Sequence, residues 1–459
     1  MLFEAFLSST AMESVFSPTA VVQSMMDVEA ALARAAARTG LIPAPAAQAI
    51  ASLCRAELYD VPALIAAAPH SGNLALPVVQ RLRETVALFD PAAAVYVHRG
   101  ASAQDLVDTA MVLRTREALR LLDDDLQQLC AGLLALAERH AAVPMLGRTM
   151  MQPAQVISLR YKLMNWLMPL LRSTERLREQ GGASLLLQLG GAVGTLDAMG
   201  DRADDMLAAV AAELSLPLPD MCWHTQRDRW LRLGLEVGLL CGNLGKLAQD
   251  FALMAQAEVD ELNEPPGEGY GACLSMPHKK NPVATLQAMA AVQRAPQRIA
   301  GLMGCMTPEH ERGLGQHQAE LAEWGGLMGS AHAAVQALNR ALAEPVIRVD
   351  RMRAHVLERQ GLVASERLEH LLMPRLGRQR TGAMIRDLIQ RVRQGEGTLQ
   401  QLLRTALEVG DLPVTAMSPV ELAAMFDLDA IAAQADSRVD AVMIEARHRL
   451  DVLAANPCR

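Results

Sequence analysis

The sequence predicts an all-α protein, and three observations support this prediction. Hydrophobic residues make up 51% of the 459 residues but aromatic residues only 3%. Ala, Leu and Met, which are strong helix formers, therefore supply most of the apolar side chains. Runs of β-branched and aromatic residues, which are typical of strands, are scarce. Long stretches instead repeat apolar residues at intervals of three and four, as one face of a helix requires.

Residues 1–105 are predicted to form a first helical domain of short amphipathic helices. Six prolines between positions 43 and 91 interrupt this part of the chain. Two polar breaks, at 70–73 and 98–102, separate the predicted helices. Polar loops between buried helices are common positions for functional residues, although each break could equally be an ordinary connector.

Residues 106–344 are predicted to form a domain of long helices. No proline interrupts residues 225–261, and a single helix of that length would be on the order of 55 Å long. Apolar residues also lie off its main seam, at Leu235, Leu239 and Leu253, so more than one face is expected to be buried. This pattern favours a multi-helix bundle completed by other subunits, with a monomeric bundle as the alternative. Residues 345–459 are more charged and are predicted to form a third, smaller helical domain.

Charge and cysteine content exclude several classes of protein. The formal net charge is -8 and the basic residues are scattered, which argues against nucleic-acid binding. No stretch reaches the roughly 20 apolar residues of a membrane span, and no signal peptide is evident at the N-terminus. Seven cysteines without a Cys-x-x-Cys pair favour a reducing compartment and no zinc motif. A cytoplasmic location is therefore expected, with neither nucleic acid nor membrane as a partner.

The segment 276–282 reads Met-Pro-His-Lys-Lys-Asn-Pro and is predicted to bind an anion. Three glycines lie within residues 267–271, and glycine-rich backbone can turn its N–H groups toward an anion. Lys279 adds a positive charge and Asn281 a neutral donor, and a helix predicted to begin near 281–282 adds its positive end. This set suits a carboxylate whose α-carbon gains or loses a proton, because negative charge then builds on the carboxylate oxygens. A solvated basic turn is the alternative.

Several motifs in the chain resemble one family. Met-Pro-x-Lys-x-Asn-Pro is similar to the signature of the fumarase/aspartase superfamily. Trp-His-Thr-Gln-Arg-Asp-Arg at 223–229 resembles a segment shared by adenylosuccinate lyases and bacterial 3-carboxy-cis,cis-muconate cycloisomerases. Further segments resemble the cycloisomerase branch specifically, at 72–77, 147–152, 309–315, 361–363 and 375–378.

The resemblance implies a homotetramer with a central twenty-helix bundle, in which each active site is lined by three subunits. It implies a small polycarboxylate substrate and no metal or organic cofactor. In the implied reaction of aromatic degradation (the β-ketoadipate pathway), a carboxylate adds across a double bond of 3-carboxy-cis,cis-muconate or a related muconate. A muconolactone forms through an enolate-like intermediate. Two alternatives stay open: a C–N or C–O lyase that releases a fumarate-like product, and a paralogue that has lost proton transfer.

The resemblance also assigns roles to individual residues. Lys279 is expected to act in catalysis by holding the developing charge. The run 310–312 (His-Glu-Arg) is predicted to be an ion-paired helix terminus, with substrate contact as the alternative. Substrate-binding roles are expected for eight residues: Asn73, His98, Ser102, Thr149, Gln152, Arg229, Met276 and Asn281.

The expected acid/base positions differ from the family pattern. The family usually has Gly-Ser-Ser-x-Met before the lysine, and here Cys273 and Leu274 replace the two serines. Pro153 replaces the usual histidine of the Gly-Arg-Thr segment. A thiol has a much lower pKa than a hydroxyl, and nearby cations lower it further, so Cys273 is a candidate acid or base. A small buried hydrophobe is the alternative. Other candidates for the proton carrier are Ser275, His278, His98, His224 and His310.

Overall fold

The computed structural model describes residues 4, 6–267 and 271–456, and these are arranged almost entirely in α-helices. The predicted all-α fold is confirmed. Within the described residues, six α-helices precede the longest one: α1 (Thr10–Val15), α2 (Pro18–Arg38), α3 (Ala44–Leu53), α4 (Val61–Ser71), α5 (Ala75–Phe89) and α6 (Pro91–Ala94). Prolines lie at the first or second helical positions of α2, α3, α4 and α6, where the missing N–H costs no hydrogen bond.

Helix α7 (Ala103–Arg139) has 37 residues and so spans on the order of 55 Å. Its N-terminus is fixed by a capping box, in which Ser102 and Asp105 each accept a backbone N–H from the other. The sequence predicts an apolar seam from leucines spaced by four and three residues, and all of them are fully buried: Leu122, Leu126, Leu129, Leu133 and Leu136. An antiparallel hairpin follows α7, formed by β1 (Pro144–Thr149) and β2 (Gln152–Ser158).

The remaining elements complete a helical bundle and a smaller C-terminal part. They are α8 (Leu159–Ser184), α9 (Ala203–Leu214), α10 (Asp228–Ala255), β3 (Leu262–Asn263), α11 (Val283–Val292), α12 (Ala295–Gly304), α13 (Gln316–Leu342), β4 (Val346–Ile347), α14 (Val349–Leu357), α15 (Ser365–Leu376), α16 (Arg378–Arg393), α17 (Leu399–Glu408), α18 (Pro419–Met425), α19 (Leu428–Asp436) and α20 (Asp440–Ala455).

Helix α10 is shorter than predicted. It has 28 residues, on the order of 42 Å, because the backbone turns away at Gln256 and Glu261 donates its N–H back to the carbonyl of Met254 at 2.9 Å. Its main seam is buried, but the side chains of Leu235 and Leu239 are exposed, the latter by 62%. Within one chain this second face is therefore not buried, and its burial by other subunits stays a prediction.

The buried residues form two separate cores. The main core joins α2, α7, α8, α10 and α13. A second core, between Ala364 and Met425, is made by α15 to α18, whereas α20 returns to pack on α7 and α8. The predicted domain limits at 105 and 344 stay a prediction. Among the described residues, no helix is both long and apolar enough to cross a membrane, and the six described cysteines are unpaired.

Candidate active site

The segment 271–281, called here the Cys273 loop, is closed at its base by its own backbone. The N–H of Asn281 donates to the carbonyl of Gly271 at 2.9 Å, and the side-chain amide of Asn281 donates to the same oxygen at 3.2 Å. Gly271 has φ +71°, and a Cβ there would lie 2.4 Å from the carbonyl oxygen of Asn281. Glycine is therefore required at this position. Gly269, part of the predicted glycine-rich stretch, lies outside the described residues.

Within the Cys273 loop, nearly every side chain faces solvent. Met276, His278 and Lys279 are exposed, and Leu274 is fully so. The side chain of Lys279 makes no hydrogen bond or ion pair with any residue that the structure describes, while its N–H donates to the carbonyl of Met276 at 3.0 Å. The loop therefore presents an unneutralised cation to an incoming ligand.

Cys273 has an environment that favours its thiolate. Its Sγ lies 3.8 Å from the Oγ of Ser275. Hydrogen bonds from the backbone N–H groups of Ser275 and Met276 lower the pKa of the Cys273 thiol, and the Ser275 hydroxyl and the charge of Lys279 add to this effect. Cys273 is only partly exposed, but it is no buried hydrophobe, because its surroundings stabilise the charged form.

The helix that follows the loop does not offer its positive end to a ligand, so this part of the prediction is wrong. Helix α11 begins at Val283, and the carboxylate of Glu264 accepts the N–H of Ala284 at 3.1 Å and that of Thr285 at 2.7 Å. The hydroxyl of Thr285 donates to the same carboxylate at 2.7 Å. A negative side chain thus already occupies the N-terminus that was expected to bind the anion.

The hairpin carries two further predicted site residues. Thr149 and Gln152 pair across β1 and β2, with Met150 and Met151 between them in the left-handed region (φ 49° and 64°). Both methionines are exposed, Met150 by 97%. Arg148 forms a bidentate ion pair with the buried Glu261, at 2.8 and 3.1 Å. Glu261 immediately precedes β3, so the hairpin and the chain leading into the Cys273 loop lie at the same end of the bundle.

A second polar group surrounds His224 and is called here the His224 cluster (Ser102, Asp105, His224 and Arg312). The buried carboxylate of Asp105 accepts the backbone N–H groups of Ser102, Gly190 and Gly191 at 2.7, 2.8 and 2.9 Å. It also bonds Nε2 of His224 at 2.7 Å. Asp105 therefore has a full set of partners, which a buried charge requires.

Arg312 directs its guanidinium into this cluster. Its Nη2 lies 3.1 Å from Oγ of Ser102, 3.3 Å from the carbonyl oxygen of Gly191 and 3.4 Å from Nδ1 of His224. Although burial opposes the charged imidazole, hydrogen bonds to Asp105 and to Cys222 raise the pKa of His224 above its usual value. The cluster thus concentrates positive charge. Residues 310–312 lie in a turn outside any helix, so the predicted ion-paired helix terminus is wrong.

Arg227, three residues after His224, is the centre of a buried ion-pair network. Arg227 donates to Asp108 at 2.9 and 3.2 Å and to Glu320 at 3.1 Å, and its guanidinium lies over the ring of Trp223. Although burial opposes ionisation, the charge of Arg227 keeps the pKa of Asp108 well below its usual range. By contrast Arg229, predicted to bind substrate, is exposed and pairs with Asp220 at 2.9 Å.

Two more predicted residues have partners within the chain. Oδ1 of Asn73 accepts the N–H of Leu76 and so caps the start of α5. Nδ1 of His98 lies 2.5 Å from the buried carboxylate of Glu29, and the backbone of His98 is left-handed (φ 62°). The charge of Glu29 raises the pKa of His98 although burial opposes it.

The predicted site residues fall into two groups at opposite ends of α7. Ser102 caps its first turn, and the hairpin with Thr149 begins five residues after its last one. Because α7 spans on the order of 55 Å, one chain cannot bring Ser102 and Thr149 to the same small ligand. The sequence prediction missed Asp105 and Glu264. The Ser-x-x-Asp pattern of a capping box pointed to Asp105, whereas no local pattern indicates the contact of Glu264 with α11.

The candidate site shows no metal centre: the described residues include no group of three His, Cys, Asp or Glu side chains arranged to hold a metal ion.

Comparisons with known proteins identify the family of the chain. A family model described as Lyase matches residues 6–295. A 3-carboxy-cis,cis-muconate cycloisomerase of Pseudomonas aeruginosa is 42% identical over 88% of both chains. A nitrosuccinate lyase of Streptomyces davaonensis is 37% identical over 88% of this chain and 86% of its own. The crystal structure of a 3-carboxy-cis,cis-muconate lactonizing enzyme from Pseudomonas putida has a TM-score of 0.90 at 36% identity, covering 98% of this chain and 99% of the other. The chain therefore belongs to the fumarase/aspartase superfamily of enzymes, in the branch of the 3-carboxy-cis,cis-muconate cycloisomerases.

Proposed function

We propose that the protein is a cycloisomerase that converts 3-carboxy-cis,cis-muconate, or a related muconate, into a muconolactone. The Cys273 loop carries the proposal, because it combines a thiol of lowered pKa with an unneutralised Lys279 in a chain of this family. A polycarboxylate that must be protonated next to one of its carboxylates needs this pair of groups.

The proposed reaction uses one proton. A substrate carboxylate oxygen bonds to one carbon of a double bond, and the π electrons move to the other carbon, which lies α to a second carboxylate. Lys279 and N–H groups of the loop stabilise the enolate-like charge that develops there. The thiol of Cys273 then transfers its proton to the α-carbon and regains one from water. Ser102 and Arg312 of another subunit hold a further carboxylate.

The proposal includes a homotetramer with composite sites. The distance between the two ends of α7 supports it, because the predicted site residues cannot meet within one chain. The exposed apolar side chains of Leu235, Leu239, Leu286 and Met303 on α10 to α12 also support it, since another subunit would bury them. We also propose a cytoplasmic location, which is supported by the unpaired state of the six described cysteines and the reducing conditions there.

A direct assay tests the function. Mixing the protein with 3-carboxy-cis,cis-muconate is expected to remove the diene absorbance and yield the lactone. Absence of any absorbance change at high enzyme concentration would contradict the proposal for this substrate.

The similarity to a nitrosuccinate lyase favours β-elimination as the second candidate function. There Cys273 would act as a base and remove the proton α to a carboxylate while a leaving group departs. The pH profile of kcat/KM separates the two functions, because it reports the pKa of the free enzyme. Cycloisomerisation needs the thiol, so the rate falls as the pH rises through the pKa of Cys273. Elimination needs the thiolate, so the rate of fumarate release rises over the same interval.

A third alternative is a paralogue that has lost proton transfer. This alternative would be favoured if the unaltered protein converts neither substrate class and a Cys273→Ser variant does. Turnover in the unaltered protein would exclude it.

A further inference from the structure

A cavity of about 280 Å³ lies between the two cores and contains none of the residues of the Cys273 loop or the His224 cluster. It is called here the inter-core cavity. Strand β2 contributes Gln155 and Val156, and further lining comes from the end of α14 and from α19, which pack on the hairpin. Met425 and Phe426, at the edge of the second core, form the opposite wall. Its volume is slightly below the range of roughly 300–1,000 Å³ for drug-sized ligands, so it suits a smaller molecule.

The charged side chains that line the inter-core cavity are all positive. Arg367 and Arg438 line it, and no Asp or Glu does. Arg367 donates one N–H to Oε1 of Gln434 at 2.5 Å. The guanidinium of Arg438 has no hydrogen-bond or ion-pair partner among the residues that the structure describes. Arginine binds carboxylates through paired N–H groups, so the cavity has an unused anion-binding edge.

The rest of the lining is apolar and shaped by a close backbone approach. Val156, Leu357 and Phe426 form part of the wall. Gly361 has φ +84°, and a Cβ at this position would lie 2.8 Å from the ring of Phe426, so a side chain there would push into the wall. A ring and a methionine thioether favour contact with another flat ring.

We propose that the inter-core cavity binds a small aromatic monocarboxylate, with its ring against Met425 and Phe426 and its carboxylate on Arg438 and Arg367. The site is distinct from the proposed catalytic site. Binding there does not depend on the proposed function.

The cavity is positioned to influence the hairpin. Gln155 and Val363 line both this cavity and a neighbouring one that contains Thr149. Gln155 lies on β2 three residues after Gln152. An occupant that fixes the two cores relative to each other therefore also fixes the hairpin that carries the predicted substrate-binding residues Thr149 and Gln152.

Calorimetric titration of the assembled full-length protein tests the proposal, with benzoate as the probe and benzamide as its neutral counterpart. Benzoate is expected to bind once per chain, and benzamide about tenfold more weakly or worse, because the charge-assisted hydrogen bonds are lost. Arg438→Gln and Arg367→Gln should each weaken benzoate binding about tenfold. Arg404→Gln, which removes the same charge from an exposed site on α17 outside the cavity, should leave it unchanged.

The controls distinguish other binding sites. Lys279→Ala should leave benzoate binding intact, and its loss there would assign the ligand to the Cys273 loop and overturn the proposal. Equal affinity for benzamide, no binding at all, or insensitivity to both arginine variants would also overturn it. Should the arginine variants fold poorly, Ala435→Leu fills the cavity without changing charge. It is expected to abolish binding, and unchanged binding in this variant would reject the site.

Discussion

The His224 cluster and the Cys273 loop are both polar, yet they differ in how far one chain satisfies their hydrogen-bonding groups. In the cluster, the carboxylate of Asp105 has three backbone N–H donors and an imidazole, all in the interior. In the loop, Lys279 is exposed and has no side-chain partner within the described residues. A fully paired buried charge is costly to disturb but has little left for a ligand. We therefore expect a change at the fully paired Asp105 to alter mainly stability. Changes in the loop, and a change at Arg312, which is proposed to hold a substrate carboxylate, should alter mainly turnover.

Lys279→Ala should produce the largest effect on turnover. Loss of a group that stabilises developing negative charge typically lowers kcat by about 100- to 1000-fold. Light scattering should give an unchanged oligomer, because the side chain is exposed. The neighbouring Lys280→Ala is the matched control, with an expected change within about threefold, since Lys280 has no role in the proposed reaction and its exposed charge is screened by salt. Equal kcat in the Lys279 variant and the unaltered enzyme would remove the loop from the chemistry.

Asp105→Asn should mainly lower stability. The amide would turn N–H groups toward backbone donors and would leave His224 without its counter-charge. Breaking such a buried pair costs roughly 3 kcal/mol or more, measured by equilibrium denaturation at fixed protein concentration. Asp124→Asn, an exposed change on the same helix, should stay within about 0.5 kcal/mol. If Asp105→Asn lowered the free energy of unfolding no more than Asp124→Asn does, the cluster would not be a stabilising element.

Alkylation by iodoacetamide, followed by peptide mass spectrometry, compares exposed with buried thiols. The thiolate is the reactive form. Because the pKa of Cys273 is lowered from the ordinary thiol value of 9.0, its alkylation rate should reach half its maximum below pH 9.0. Burial raises the pKa of Cys54 far above its ordinary value. Near neutral pH, Cys273 should react at least about tenfold faster than Cys54. A rate at Cys273 that reaches half its maximum only above pH 9 would contradict the described environment.

Ser102→Ala should lower the free energy of unfolding by less than Asp105→Asn. It removes the side-chain cap of α7, worth about 1 kcal/mol, and the hydroxyl that Arg312 contacts. A matched Ser52→Ala change at an exposed serine of α3 should alter the free energy of unfolding by less than about 0.5 kcal/mol. If both variants unfold identically, the capping box does not fix the start of α7.

Local patterns predicted much of the fold. The apolar periodicity of α7 located its buried seam, and polar residues at 98–102 marked its start. The end of α10 was not predictable, because an absence of proline does not show where a chain turns. That turn is held by contacts distant in sequence: the buried Glu261 binds Arg148, 113 residues away, and His355 at 2.7 Å.

In the candidate site, too, local patterns predicted some features and missed others. The Cys273 loop was found because its residues are contiguous, so its charge and its thiol could be read together. The pairing of Asp105 with His224 joins positions 119 residues apart, and Glu264 caps a helix 20 residues further on. Such contacts depend on the packing of whole helices, which single-segment patterns do not contain.

The central claim is that one site combines the loop of one subunit with the cluster of another. Mixing two inactive variants, Lys279→Ala and Arg312→Glu, by joint unfolding and refolding tests it directly. With random assembly, about one quarter of composite sites would contain neither defect, so activity should return toward that fraction of the unaltered enzyme. Each variant refolded alone should stay inactive. No recovery in a mixture that forms hybrid oligomers would show that each site belongs to a single chain, and would contradict the account.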